Sequence, residues 1–208
     1  MKDLKGKDGS YLHTVRFPCL TETKKATVVF FHSFGAYTEK AAGLAQNFQK
    51  QGYEVIGMDM RAFGQTQTAH PGLIDDPSVQ LSDSSTFLRA YREQYDDGKP
   101  LVIYGYSLGA TYALGTYFSL EQDLKEEVKA LVVVSPQTGM GDYWYPDWYR
   151  PRKGRLLSLI NWKWGAFPPL VSMRDRHDEL QYKGPVYART LWTVQDWTDR
   201  NLAMANQI

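Results

Sequence analysis

Cysteine is all but missing from this chain. Cys19 is the only one in 208 residues, so no intramolecular disulfide can form and no cysteine cluster can bind a metal. A surplus of one charge is missing too. The 24 Lys and Arg balance 23 Asp and Glu to a formal net charge of +1, which removes a global pull toward nucleic acid. No apolar run approaches the ~18 residues of a membrane span, since the longest, such as Ala130–Val134, are strand-sized. The N-terminus, MKDLKGKDGS, has no apolar stretch of the signal-peptide kind. With the lone cysteine, this predicts a reducing, cytoplasmic location, with peripheral contact at a membrane surface as the closest approach to lipid. No His/Cys spacing fits a metal and no glycine loop fits a phosphate cradle, so neither metal nor cofactor is expected. Cys19 reads as a small buried residue.

What is present is an α/β rhythm. Thr27–Phe31, Tyr53–Met58, Leu101–Tyr104 and Ala130–Val134 are β-branched or aromatic runs of strand length, and Tyr11–Phe17 is an earlier, antiparallel one. Between them, Glu39–Gln51, Ser82–Tyr95 and Ala110–Phe118 carry apolar residues at helical spacing or small helix formers. The apolar runs are continuous rather than alternating, as parallel strands covered on both faces require. The expected fold is a mostly parallel sheet with helices on both sides.

Composition changes after Ser135. All six tryptophans lie beyond Gly141, and 141–169 has no clear period. We therefore divide the chain into a core, 1–140, and a second unit, 141–208. Within that unit, Tyr143, Trp144 and Tyr145 through Trp164 interleave with Arg150, Arg152, Lys153, Arg155 and Lys163. Such a stretch suits lipid headgroup depth and anionic lipid, and equally a segment packed on its own core with cations at the rim. The charged run Arg174–Glu179 reads as solvated.

The segment that carries chemistry is Gly105-Tyr106-Ser107-Leu108-Gly109, with a strand before it and a small-residue helix after it. That context forces the serine into a sharp strand-to-helix turn, and only glycines let the chain pass so closely. Upstream, His32-Ser33-Phe34-Gly35 ends a strand where a loop can offer a main-chain N–H to an oxyanion. The expected donors are the N–H groups of Phe34 and Leu108, with Ser107 as nucleophile. His32 reads as a buried histidine that holds its loop by hydrogen bonds. The paired Asp75-Asp76 and Asp96-Asp97 sit in turn sequences, which explains them without catalysis.

With these residues the chain resembles the α/β-hydrolase superfamily, and within it the monoacylglycerol lipase and lysophospholipase group, often labelled serine aminopeptidase-like. The group's HGxG loop stands here as His32 to Gly35. Its D-x-R-G-x-G-x-S stretch stands as Asp59-Met60-Arg61-Ala62-Phe63-Gly64-Gln65-Thr66, and its nucleophile elbow as Gly105 to Gly109. Ser33 and Ala62 replace usual glycines. If those positions need positive φ, the loops would sit differently.

The resemblance implies an α/β-hydrolase fold with a helical cap over the cleft, placed at 173–203, and ester hydrolysis through an acyl-enzyme at Ser107. An acylglycerol or other ester is then the substrate. It also implies a triad acid and histidine after later core strands, and the sequence is expected to stop short of these C-terminal strands. His177 is the only histidine after Ser107. Its charged neighbourhood offers nothing apolar to hold an imidazole, so impaired catalysis is expected. The alternative is a non-catalytic hydrolase-fold subunit that binds a protein partner at an open sheet edge.

Overall fold

The computed structural model describes residues 4–95, 97–136, 156, 159–160 and 177–206. Five strands form one sheet: β1 (Thr14–Phe17), β2 (Ala26–Phe31), β3 (Tyr53–Met58), β4 (Leu101–Tyr106) and β5 (Val128–Val134). Their order is β1-β3-β2-β4-β5, with β1 antiparallel to β3 and every other pair parallel. This is the mostly parallel sheet that the sequence pattern predicts. β2 lies at its centre, and all six of its residues are buried, as expected for a parallel strand covered on both faces.

The helices are α1 (Ala42–Lys50), entered through a short 3₁₀ turn at Thr38–Ala41, α2 (Pro77–Tyr95), α3 (Leu108–Ser119), α4 (Gln122–Glu127) and α5 (Ala188–Ala205). α2 starts at Pro77, earlier than the predicted Ser82. Proline suits the first helical turn, and the Asp76 carboxylate accepts the Ser78 N–H at 2.8 Å. β4 runs on to Tyr106, directly into the elbow. β1 is shorter than expected, because Tyr11 leaves the sheet to bridge Lys5. Cys19, predicted buried, is only half-buried, with its Sγ 3.1 Å from Thr21 Oγ1.

Each face of the sheet has its own core. Phe31, Ile56, Met58, Ile103 and Tyr112 pack on one side with Phe87 and Tyr91 of α2. On the other, Val28, Phe30 and Val55 meet Ala45 and Phe48 of α1. α5 belongs to the first of these. Its Val194 and Trp197 are buried in that core, Trp197 lying 4.8 Å from the Tyr112 ring. Thr198 Oγ1 is 2.8 Å from Thr111 Oγ1, and Asn201 Nδ2 donates to the Thr111 carbonyl. Sequence alone groups this stretch with a cap, but its buried stripe joins it to α3. Of 143–164 only 156 and 159–160 are described, so the aromatic and basic residues of that stretch, like the division at 140, lie outside the described residues. Among the described residues, no helix is long and apolar enough to cross a membrane.

Candidate active site

Ser107 stands where β4 becomes α3, at φ 54° and ψ −120°. Its N–H donates to the Val134 carbonyl at 3.0 Å, and its own carbonyl accepts the Ala110 N–H at 2.9 Å. The turn is thus tied to β5 on one side and to the helix on the other. A Cβ on Gly105 would overlap the Gly109 carbonyl and stand 2.8 Å from Ala110 Cα; one on Gly109 would overlap the Phe31 carbonyl and stand 2.6 Å from that of His32. Both glycines of the motif are therefore steric requirements, met by main chain that cannot swing aside. Leu108 is buried at the first position of α3, where a helix leaves its N–H groups without an intrahelical acceptor.

The loop after β2 comes to the same edge. Phe31 pairs with Gly105 across the β2–β4 ladder, so residues 32–35 continue beside the turn that holds Ser107. His32 is buried. Its Nδ1–H donates to the Ser33 carbonyl at 2.9 Å, and its Nε2 accepts the Met60 N–H at 2.9 Å. Burial pushes the imidazole pKa down, against the pull of the Ser33 carbonyl and the Asp59 and Glu39 carboxylates. The ring is thus a neutral strut between two loops, the structural role its sequence position predicts. Phe34 is half-buried, its ring 4.8 Å from Phe63 and 6.2 Å from Tyr182.

A third loop, 59–66, supports these two. The Asp59 carboxylate accepts the N–H groups of Thr38 at 2.7 Å and Gln65 at 2.8 Å. Arg61 forks onto Asp83 of α2 at 2.7 and 2.9 Å and also reaches Asp8. Burial raises the Asp83 pKa against the opposing pull of Arg61. At the two positions where glycine is usual, the outcomes differ. Ala62 takes φ 86°, a left-handed backbone that costs an L-residue ~1–2 kcal/mol. Ser33 is not among the described residues with positive φ; Gly35 is, at 71°. The other described non-glycine residues with positive φ are Ser107 and Ser135. These strained positions follow β3, β4 and β5, so strain gathers at one edge of the sheet, as at functional sites generally.

Ser107, Leu108 and the Phe34 loop thus share the carboxyl edge of adjacent strands. Among the described residues, no hydrogen bond joins Ser107 Oγ to a histidine or carboxylate. His13 is 2.8 Å from Glu39, and His177 is exposed. His13, Glu39 and Asp59 bring ligand-type atoms within 4.8 Å of one another, but His13 is engaged with Glu39 and both Asp59 oxygens hold main-chain N–H groups.

The charged run that reads as solvated divides. His177 and Glu179 are exposed, whereas Asp178 accepts a hydrogen bond from Tyr37 Oη at 3.0 Å and lies 3.5 Å from Lys40 Nζ. Burial works to raise the Asp178 carboxyl, but the Tyr37 hydroxyl, the Leu180 N–H and Lys40 outweigh it and hold it low. Sequence reasoning missed Asp178, Tyr37 and Tyr182, because the two segments they join lie 141 residues apart and no local pattern links them.

Comparison with known proteins gives a consistent picture. The family profile described as serine aminopeptidase, S33, matches residues 22–203. A soluble variant of monoglyceride lipase from Saccharomyces cerevisiae, solved with a substrate analogue, is similar in fold. Its TM-score is 0.72 at 19% identity, over 95% of this chain and 68% of that one. The monoacylglycerol lipase of Paleococcus ferrophilus gives 0.67 at 14%, over 91% and 71%. A thermostable carboxyl esterase of Bacillus coagulans, solved with glycerol, gives 0.69 at 15%, over 94% and 70%. No curated protein matches the chain by sequence.

Proposed function

The chain belongs to the serine aminopeptidase, S33, family, and from that membership we propose that it acts on carboxylic esters through an acyl-enzyme at Ser107, with a monoacylglycerol or similar lipid ester as substrate. The observation that carries this reading is the strained elbow. A serine held at φ 54° at the tip of β4, beside a helix N-terminus and a second loop, has the backbone that a nucleophile elbow requires. Ser107 Oγ adds to the ester carbonyl carbon and gives up its proton. The carbonyl electrons move to oxygen, where the N–H groups of Leu108 and Phe34 stabilise the negative charge in this reading. Each such donor is worth ~2.7–4 kcal/mol in comparable sites. Collapse expels the alcohol, which takes a proton, and water then hydrolyses the acyl group from Ser107.

Among the described residues no base is bonded to Ser107, and a serine without one gives up its proton to solvent and attacks slowly. Serine hydrolases that lose triad members keep ~10³–10⁴ of rate over water. The expected result is slow, Ser107-dependent hydrolysis of short p-nitrophenyl esters, together with faint fluorophosphonate labelling, both lost in Ser107→Ala. Hydrolysis unchanged by Ser107→Ala would end the acyl-enzyme reading. Fast labelling abolished by His177→Ala would instead establish His177 as a base.

A second reading follows from β5. Among the described residues it pairs only with β4, every residue in it is half-buried or exposed, and Val132 and Val133 are 37% and 36% exposed. We propose that this edge takes up another chain, because an open row of N–H and C=O groups beside apolar side chains favours strand addition. Light scattering coupled to size exclusion should show association of the 208-residue chain. A monomer that melts cooperatively would refute a partner at this edge.

A further inference from the structure

We propose that Asp178 is the positioning residue of a clasp that holds the 33–37 loop in place, and so sets where that loop's N–H groups stand relative to Ser107. The inference rests on the acyl-transfer reading of Ser107. The loop is anchored at its start by His32, through the Met60 N–H, and at its end by Asp59, through the Thr38 N–H. Between these anchors the main chain makes one bond within the loop, from the Ala36 N–H to the Ser33 carbonyl. Across its middle the Phe34 ring packs on Phe63 at 4.8 Å, and among the described residues the hydrogen bonds from distant segments come from 178–182.

The Tyr182 N–H donates to the Gly35 carbonyl at 2.8 Å. A Cβ on Gly35 would stand 3.2 Å from Gln181 Nε2 and 3.5 Å from Tyr182 Cβ, so the two segments touch where Gly35 has its positive φ. Asp178 then closes the clasp. One of its oxygens accepts the Tyr37 hydroxyl at 3.0 Å and lies 3.5 Å from Lys40 Nζ, and the other accepts the Leu180 N–H at 3.1 Å. Lys40 Nζ also donates to Gln181 Oε1. A single carboxylate therefore ties the loop to the segment and shapes the turn of the segment itself. Surface ion pairs alone are weak. What matters here is placement, since an oxyanion donor acts only when it is near 3 Å from the developing charge, and a 1 Å displacement can cost ~10²-fold in rate.

Hydrogen exchange and Ser107-dependent hydrolysis of p-nitrophenyl acetate, read on the same variants, test this. In Asp178→Ala, amides of 33–37 should exchange at least ~10-fold faster while those of β2 and α3 stay as in the wild type. The kcat should fall about 10-fold with KM within about twofold, a split that general loss of stability would not produce. Asp178→Asn keeps an oxygen for the Tyr37 hydroxyl and should recover most of both effects, and Tyr37→Phe should repeat the alanine result in weaker form. Unchanged exchange in Asp178→Ala overturns the clasp. Faster exchange with unchanged kcat overturns its role in positioning while leaving the Ser107 reading intact. If the wild-type hydrolysis survives Ser107→Ala, it is the acyl-transfer reading that fails, and the positioning role fails with it even where exchange shows the clasp holding the loop.

Discussion

Trp197→Ala is expected to destabilise the protein by about 3–5 kcal/mol, the range for removing a large buried aromatic side chain. Trp197 is only 3% exposed, packs at 4.8 Å on Tyr112, and lies so close to Gly115 that a Cβ there would stand 2.7 Å from its Nε1. Nothing small can refill that volume, because the neighbouring positions are themselves a glycine and a ring in contact. For a chain of this size, the loss corresponds to a fall in melting temperature of roughly 6–20 °C. Thermal and urea melts of the variant decide the matter. A loss below about 1 kcal/mol would mean that α5 rests on the core without being part of it.

Gly109→Ala should be nearly as damaging although it adds one carbon. The new Cβ would overlap the Phe31 carbonyl and stand 2.6 Å from that of His32. Both are main-chain atoms, and Phe31 sits in the central strand, buried on all sides. Overpacking of this kind costs about 1–3 kcal/mol and occasionally more. We expect the upper end, because relief requires α3 to move off β2 and the elbow to move with it. Urea unfolding measures the stability. The residual labelling of Ser107 should drop further than stability alone accounts for, since the same shift separates the Leu108 N–H from the Phe34 loop. Wild-type stability in Gly109→Ala would show that the helix and strand can part without cost.

These two substitutions differ in how far their effects can be foreseen from sequence. The role of Gly109 is local. A glycine two places after a serine, between a strand and a helix, already implies a tight passage, and the structure supplies the carbonyl it must clear. Trp197 is the opposite case. Its immediate neighbours in sequence are mostly polar or charged and the other tryptophans are scattered from 144 to 192, so composition groups 141–208 as one unit. Only packing separates α5, whose Val194, Trp197 and Asn201 lie on a buried stripe against α3.

The parallel sheet, the elbow around Ser107 and the structural part played by His32 were determined by the sequence itself, because each depends on residues within a few positions of one another. β-branched runs propagate as strands, and glycines admit close main chain. A histidine just after a buried strand must find partners for both ring nitrogens. The left-handed backbone of Ala62, the membership of α5 in the core, and the contact of Asp178 with Tyr37 and Lys40 were decided only in three dimensions. In each, the deciding contact joins segments that the chain brings together from far apart, and no local periodicity encodes which distant surface a side chain will meet.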